Sequence, residues 1–192
     1  MYGSGDIRSK TCCFTGHRDI PPGEEQKILT RLGHHLFPVL SGGVLYFGVG
    51  GAQGFDMLAA EYMLDLRDRH KQRIRIVSVL PFPEYRAEWP EEDFRRQEEI
   101  IRRSDKVVYV CPSEEKWAYL ARDRKLVDES AYCISYCHRL TGGTAYTVRY
   151  ALGKGIPVLN CSSWDVQQLA PKKKRAGGPA VPRIAGWEDL LN

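Results

Sequence analysis

Six short runs of the chain are nearly continuous in apolar and β-branched residues: 11–15, 44–49, 74–80, 106–111, 132–137 and 157–161. Strands covered on both faces read this way, because neither face can be left polar. Between the runs, apolar positions switch to helical spacing. Ile28, Leu29, Leu32, Leu36 and Val39 share one stripe, as do Phe55, Leu58, Ala59, Tyr62 and Leu66, and again Ala145, Val148 and Leu152. Gly153 and Gly155 stop the last stripe, and Pro157 opens the next strand. Residues 90–104, with a weaker stripe, and residues 117–130 are read as two further helices. A short amphipathic end is expected at 187–191.

Strand, helix, strand repeated along the body implies parallel pairing through right-handed crossovers. The expected fold class is therefore α/β: one doubly wound domain with a mainly parallel sheet of about six strands and helices on both faces. Residues 1–10 read as a polar lead-in, 11–161 as the domain, and 162–192 as a loop or tail rich in Lys, Arg, Gly and Pro. The length of 192 residues suits a single core, and 43% hydrophobic with 27% charged residues excludes disorder for most of the chain. No run is long and apolar enough for a membrane span, and the start lacks a secretory pattern.

Net charge is +4, and Lys172, Lys173, Lys174 and Arg175 account for that surplus. The remaining body is neutral, unlike a surface built to coat nucleic acid. Each of the six cysteines, Cys12, Cys13, Cys111, Cys133, Cys137 and Cys161, lies in or beside an apolar run. They read as buried reduced thiols of a cytoplasmic protein. Cys133, Cys137 and His138 match no strong zinc spacing, so no metal site is expected.

Doubly wound sheets bind ligands beyond the carboxyl ends of their strands, so the residues following each strand carry the functional reading. The first strand leads into Thr15, Gly16, His17 and Arg18. There a glycine allows close backbone approach, and an arginine can hold phosphate or carboxylate through two parallel hydrogen bonds. His17 is either a ligand donor or a structural histidine. Gly50, Gly51, Gln53, Gly54 and Asp56 follow the second strand in a glycine-rich turn that is not a dinucleotide fingerprint, since Gln53 stands where its third glycine belongs. Asp56 would repel a phosphate at that helix start, so this turn suits ribose hydroxyls or a base amino group. The third strand ends at Leu80, Pro81, Phe82 and Pro83, a segment expected to stiffen one wall of the cleft. Arg122, Arg124 and Asp128 share a helix and read by default as an exposed charged face, with Arg122 and Asp128 facing the cleft as the alternative. Thr141, Gly142, Gly143 and Thr144 open a helix with no carboxylate in its first turn, which makes this turn the preferred phosphate seat.

Five segments in order, Cys12-Cys13-Phe14-Thr15-Gly16-His17-Arg18, Gly50-Gly51-Ala52-Gln53-Gly54-Phe55-Asp56, Val79-Leu80-Pro81-Phe82-Pro83, Arg122 with Val127-Asp128, and Gly142-Gly143-Thr144-Ala145-Tyr146, resemble the YpsA-like branch of the SLOG superfamily. The resemblance implies a Rossmann-like fold and a pocket for a nucleotide, ADP-ribose or NAD-like ligand, with no catalytic cofactor. It also leaves homo-oligomerisation open. The related LOG phosphoribohydrolases carry a glutamate whose equivalent here is Thr147, which cannot serve as a carboxylate acid or base. The leading expectation is thus a small-nucleotide binding or sensor protein. Two alternatives stay open. One is a nucleotide N-glycosidase using Arg122 to stabilise developing charge, with Asp56, or else Glu61, supplying the carboxylate. The other is a DprA-like binder of single-stranded DNA gripping through the basic run, which is not favoured.

Overall fold

The structure is a computed structural model that describes residues 7–70 and 73–171. The basic run at 172–175 and the expected amphipathic end at 187–191 lie outside the described residues. A short 3-10 turn, Ile7–Lys10, leads into strand β1 (Thr11–Gly16). Helix α1 (Glu25–Ser41), β2 (Tyr46–Val49), α2 (Phe55–His70), β3 (Arg75–Leu80), α3 (Glu91–Arg103) and β4 (Lys106–Tyr109) follow. The chain then forms α4 (Ala118–Asp128), β5 (Tyr132–Tyr136), α5 (Gly143–Gly153) and β6 (Val158–Asn160). Each apolar run thus becomes a strand, the first extended by Gly16 and the others trimmed by a residue or two where the chain turns. Val44, for example, closes α1 instead of entering β2: its N–H reaches the Val39 carbonyl at 3.3 Å.

All six strands pair in parallel in the order β4-β3-β2-β1-β5-β6. Side chains of β1 alternate between the two layers, as a two-residue period requires. Cys12 and Phe14 join α1, α2 and Ile100 of α3 in one buried cluster, while Cys13 joins Leu126 and Val127 of α4 and Ala151 of α5 in another. Helices α1–α3 therefore cover one face, and α4 and α5 cover the other. This division follows from the connectivity, because the chain steps outwards from β1 to β4 and then returns to place β5 on the opposite side of β1. After β6 the chain stays attached to the body. Val166 and Leu169, from the 3-10 turn Val166–Leu169, are buried with Ala145 and Val148 of α5.

The six cysteines are buried and free. Among the described residues no helix is long and apolar enough to cross a membrane.

Candidate functional site

Strand β1 is the reversal point of the strand order: β2 lies on one side of it and β5 on the other. The loops leaving β1 and β5 diverge there, which opens a crevice at their carboxyl ends. A cavity of about 260 Å³ occupies it. Thr15, Gly16, His17 and Arg18 line it from β1, Gly50, Ala52 and Asp56 from the turn before α2, and Gly142, Gly143 and Thr144 from the start of α5. Arg122 and Asp123 close it from α4, and Arg139 from the loop after β5.

Helix α5 begins at Gly142, whose φ of 93° and ψ of 177° lie in a region that residues with a Cβ essentially avoid. No side chain caps this helix start, and its first turn holds no acidic residue. Its opening N–H groups and the positive end of its dipole are thus turned to the cavity. Three guanidinium groups surround the same space. Arg139 forms a two-pronged pair with Asp19, at 3.0 and 3.1 Å. Arg122 is buried, donates from Nε to Asp123 at 2.7 Å, and donates from an Nη to the Gly50 carbonyl. Arg18 is exposed and has no hydrogen-bond or ion-pair partner among the described residues.

Asp56 accepts the Ala52 N–H at 2.9 Å through one oxygen, while the other is buried without a partner. Burial raises its pKa above the ordinary carboxylate value, against the opposing influence of Arg122. Burial likewise raises that of Asp123, against Arg122 and the neighbouring Thr147 hydroxyl. Thr147 itself donates to the Gly143 carbonyl at 2.9 Å, which steadies the first turn of α5. His17 is 3% exposed, and its ring sits edge-on to that of His138 at 4.4 Å. Burial, with Arg139 and His138 nearby, lowers its pKa to about 4, which leaves a neutral imidazole at neutral pH.

A second cavity, of about 470 Å³, shares Arg18, Ala52 and Arg122 with the first. Gly51 and Gln53 belong to this one, and Gln53 is tied to Asp93 at 2.6 Å. Gly54 lines a shallower groove with Arg18 and Arg96. Pro81 is buried in the β3–β4 seam, where its carbonyl takes the Cys111 N–H at 3.0 Å, and it lines neither cavity. Thr141 is exposed beside the α5 start and also lies outside both linings. Asp128 turns away from the cleft to hold Lys154 at 3.0 Å, and Glu61 is engaged by Arg96 at 2.8 Å on the outer layer. Sequence reasoning passed over Asp123 and Arg139. Asp123 stands one helical turn before buried Val127, a spacing that marks it as inward-facing.

A model of the YspA SLOG family matches residues 23–153. No curated protein matches the chain. DNA processing protein A from Helicobacter pylori, solved for its single-stranded DNA binding mode, is similar in structure with TM-score 0.54 and 18% identity, over 79% of this chain and 65% of that one. DNA processing protein A (DprA) from Streptococcus pneumoniae gives TM-score 0.56 and 15% identity, over 79% of this chain and 50% of that one. The chain thus spans less than two thirds of either protein's length, and at these identities the likeness is one of fold.

Proposed function

The chain belongs to the YspA SLOG family, and from that premise we propose that its cleft binds the phosphate end of a nucleotide or nucleotide derivative, such as ADP-ribose or NAD. One observation carries this reading: the uncapped start of α5 and the unpaired guanidinium of Arg18 face the same cavity. Bare N–H groups, a helix dipole and a guanidinium together suit a compact anion. The glycine turn before α2, with the Asp56 carboxylate, suits the ribose side. The neutral body favours a small anion over a polynucleotide, whose grip grows with each phosphate neutralised. Six free, buried thiols support a reducing compartment, and the same proposal places the protein in the cytoplasm.

Calorimetric titration with AMP, ADP-ribose and NAD tests the reading. At least one of them is expected to bind, and Arg18→Ala is expected to weaken that binding roughly tenfold, as loss of one charge-assisted contact does. A folded protein that binds none of them contradicts it. A second reading, hydrolysis of the N-glycosidic bond, is favoured by the placement of Asp56 and Asp123 beside Arg122, because burial suits either carboxyl group to carry a proton at the cleft. In that step water oxygen bonds to the anomeric carbon, the carbon–nitrogen bond breaks, and the base leaves with a proton. The samples incubated with AMP would then accumulate free adenine; an unchanged nucleotide discards this second reading alone.

A further inference from the structure

The two adjacent cavities, which share Arg18, Ala52 and Arg122, differ in chemical character. The first collects guanidinium groups and helix N–H groups. The second has a wall of aromatic rings in edge-to-face contact: Tyr119 meets Phe82 at 5.7 Å, Phe82 meets Tyr85 at 6.4 Å, and Tyr85 meets Trp89 at 5.5 Å. These contacts hold the wall rigid. Tyr119 is 38% exposed, so part of its ring is open to a ligand. The remaining lining includes the carboxylates of Glu84, Glu88 and Glu114, none of which has a hydrogen-bond or ion-pair partner among the described residues. The Tyr85 hydroxyl is buried and also lacks a partner. Gly51 packs directly against this wall, for a Cβ there would come within 2.5 Å of Leu80 Cδ2 and 2.6 Å of that hydroxyl.

We propose that the second cavity seats the base of the same ligand, and that it takes a base carrying an exocyclic amino group. Tyr119 supplies the stacking face, and the glutamates accept from the amino group. The inference rests on the first cavity being the phosphate seat, with Arg18 and Arg122 at the shared boundary. A phosphate is repelled by three unpaired carboxylates, whereas an aromatic ring bearing N–H donors is matched by both the wall and its charge. A small cation would meet the two guanidinium groups at the boundary.

The test is calorimetric titration of the intact chain with AMP, IMP and ribose 5-phosphate, and of Tyr119→Ala with AMP. AMP is expected to bind about tenfold more tightly than ribose 5-phosphate, the gain that stacking one base supplies. IMP, which replaces the amino group by a carbonyl, is expected to bind several-fold more weakly than AMP. Tyr119→Ala, checked for an unchanged thermal midpoint, is expected to bring AMP close to ribose 5-phosphate. Equal binding of AMP and ribose 5-phosphate overturns the base subsite and leaves the phosphate seat standing. Equal binding of AMP and IMP overturns the role of the glutamates, and an unchanged AMP affinity in Tyr119→Ala overturns that of the ring. Failure of all three compounds to bind overturns this inference, and the phosphate seat falls with it only if ADP-ribose and NAD also fail to bind.

Discussion

Gly54→Ala is expected to destabilise the protein by about 3 kcal/mol and to abolish ligand binding, the combined cost of a left-handed backbone and an overfilled site. Gly54 has φ +76°, and a Cβ there would overlap the backbone carbonyl, Cα and carbonyl carbon of Arg18. The two segments cannot simply part. The Phe55 N–H donates to the His17 carbonyl at 3.2 Å, and the Phe55 side chain fills the space beside Gly16 where that residue's Cβ would stand. Relief of the clash must therefore displace Arg18 from the cleft or break the seam between β1 and α2. At roughly 2–4 °C per kcal/mol for a chain of this size, the thermal midpoint should fall by about 6–12 °C. Gly43→Ala is the control: its φ is +87°, and nothing lies within 4 Å of its Cβ position. It should show the backbone cost alone, about 1 kcal/mol. Equal losses in the two variants would refute the account of the β1–α2 seam.

The second large effect belongs to Arg122. Arg122→Met is expected to cost about 3 kcal/mol near neutral pH, since it leaves the buried Asp56 and the half-buried Asp123 without their counter-charge. Asp123 loses its 2.7 Å partner, Asp56 loses the nearest favourable charge, and the Gly50 carbonyl loses a donor. The sign of the pH dependence follows from the direction of the shifts. Burial already lifts both carboxyl groups above their ordinary value, and Arg122 opposes the lift. Without it their folded-state pKa values rise further, while the unfolded values stay put. Folding then takes up protons, so the variant loses stability as pH rises through the folded-state values and recovers it as pH falls below the unfolded ones. Urea unfolding should show a wide gap between variant and parent at about pH 7 and a narrower one at about pH 4.5. A gap that is the same at both pH values would show that Arg122 acts through packing and not through charge.

The strands and the three ligand-edge turns could be read from sequence because a strand sandwiched between helical layers must be apolar almost throughout. The turns also needed glycines where backbone comes close to backbone or to a guanidinium. Ten residues foreseen as ligand-binding do meet in one cavity: Thr15, Gly16, His17, Arg18, Gly50, Asp56, Arg122, Gly142, Gly143 and Thr144. The aromatic wall was not legible. Tyr85, Trp89 and Tyr119 stand on segments after β3 and β4, and only the folded sheet brings them beside the glycine turn. The turn before α2 was too short to show which of its residues touch a ligand and which support the backbone. Gly54, packed on Arg18, and Gly51, packed on Leu80 and Tyr85, both belong to the supporting group. Net charge alone does not locate the site, for a related reason. The surplus lies in residues 172–175, outside the described residues, whereas in the cleft Arg122 and Arg139 are paired with Asp123 and Asp19, and Arg18 has no hydrogen-bond or ion-pair partner among the described residues.

The most direct test of the central claim is the backbone amide spectrum of the protein during titration with AMP. Binding of phosphate at the start of α5 predicts saturable shifts at Gly143, Thr144 and Gly16, with no comparable change along the outer face of α1. Amides at Gly143 and Thr144 that stay still while AMP binds elsewhere, or that respond to no excess of AMP, ADP-ribose or NAD, would contradict the claim.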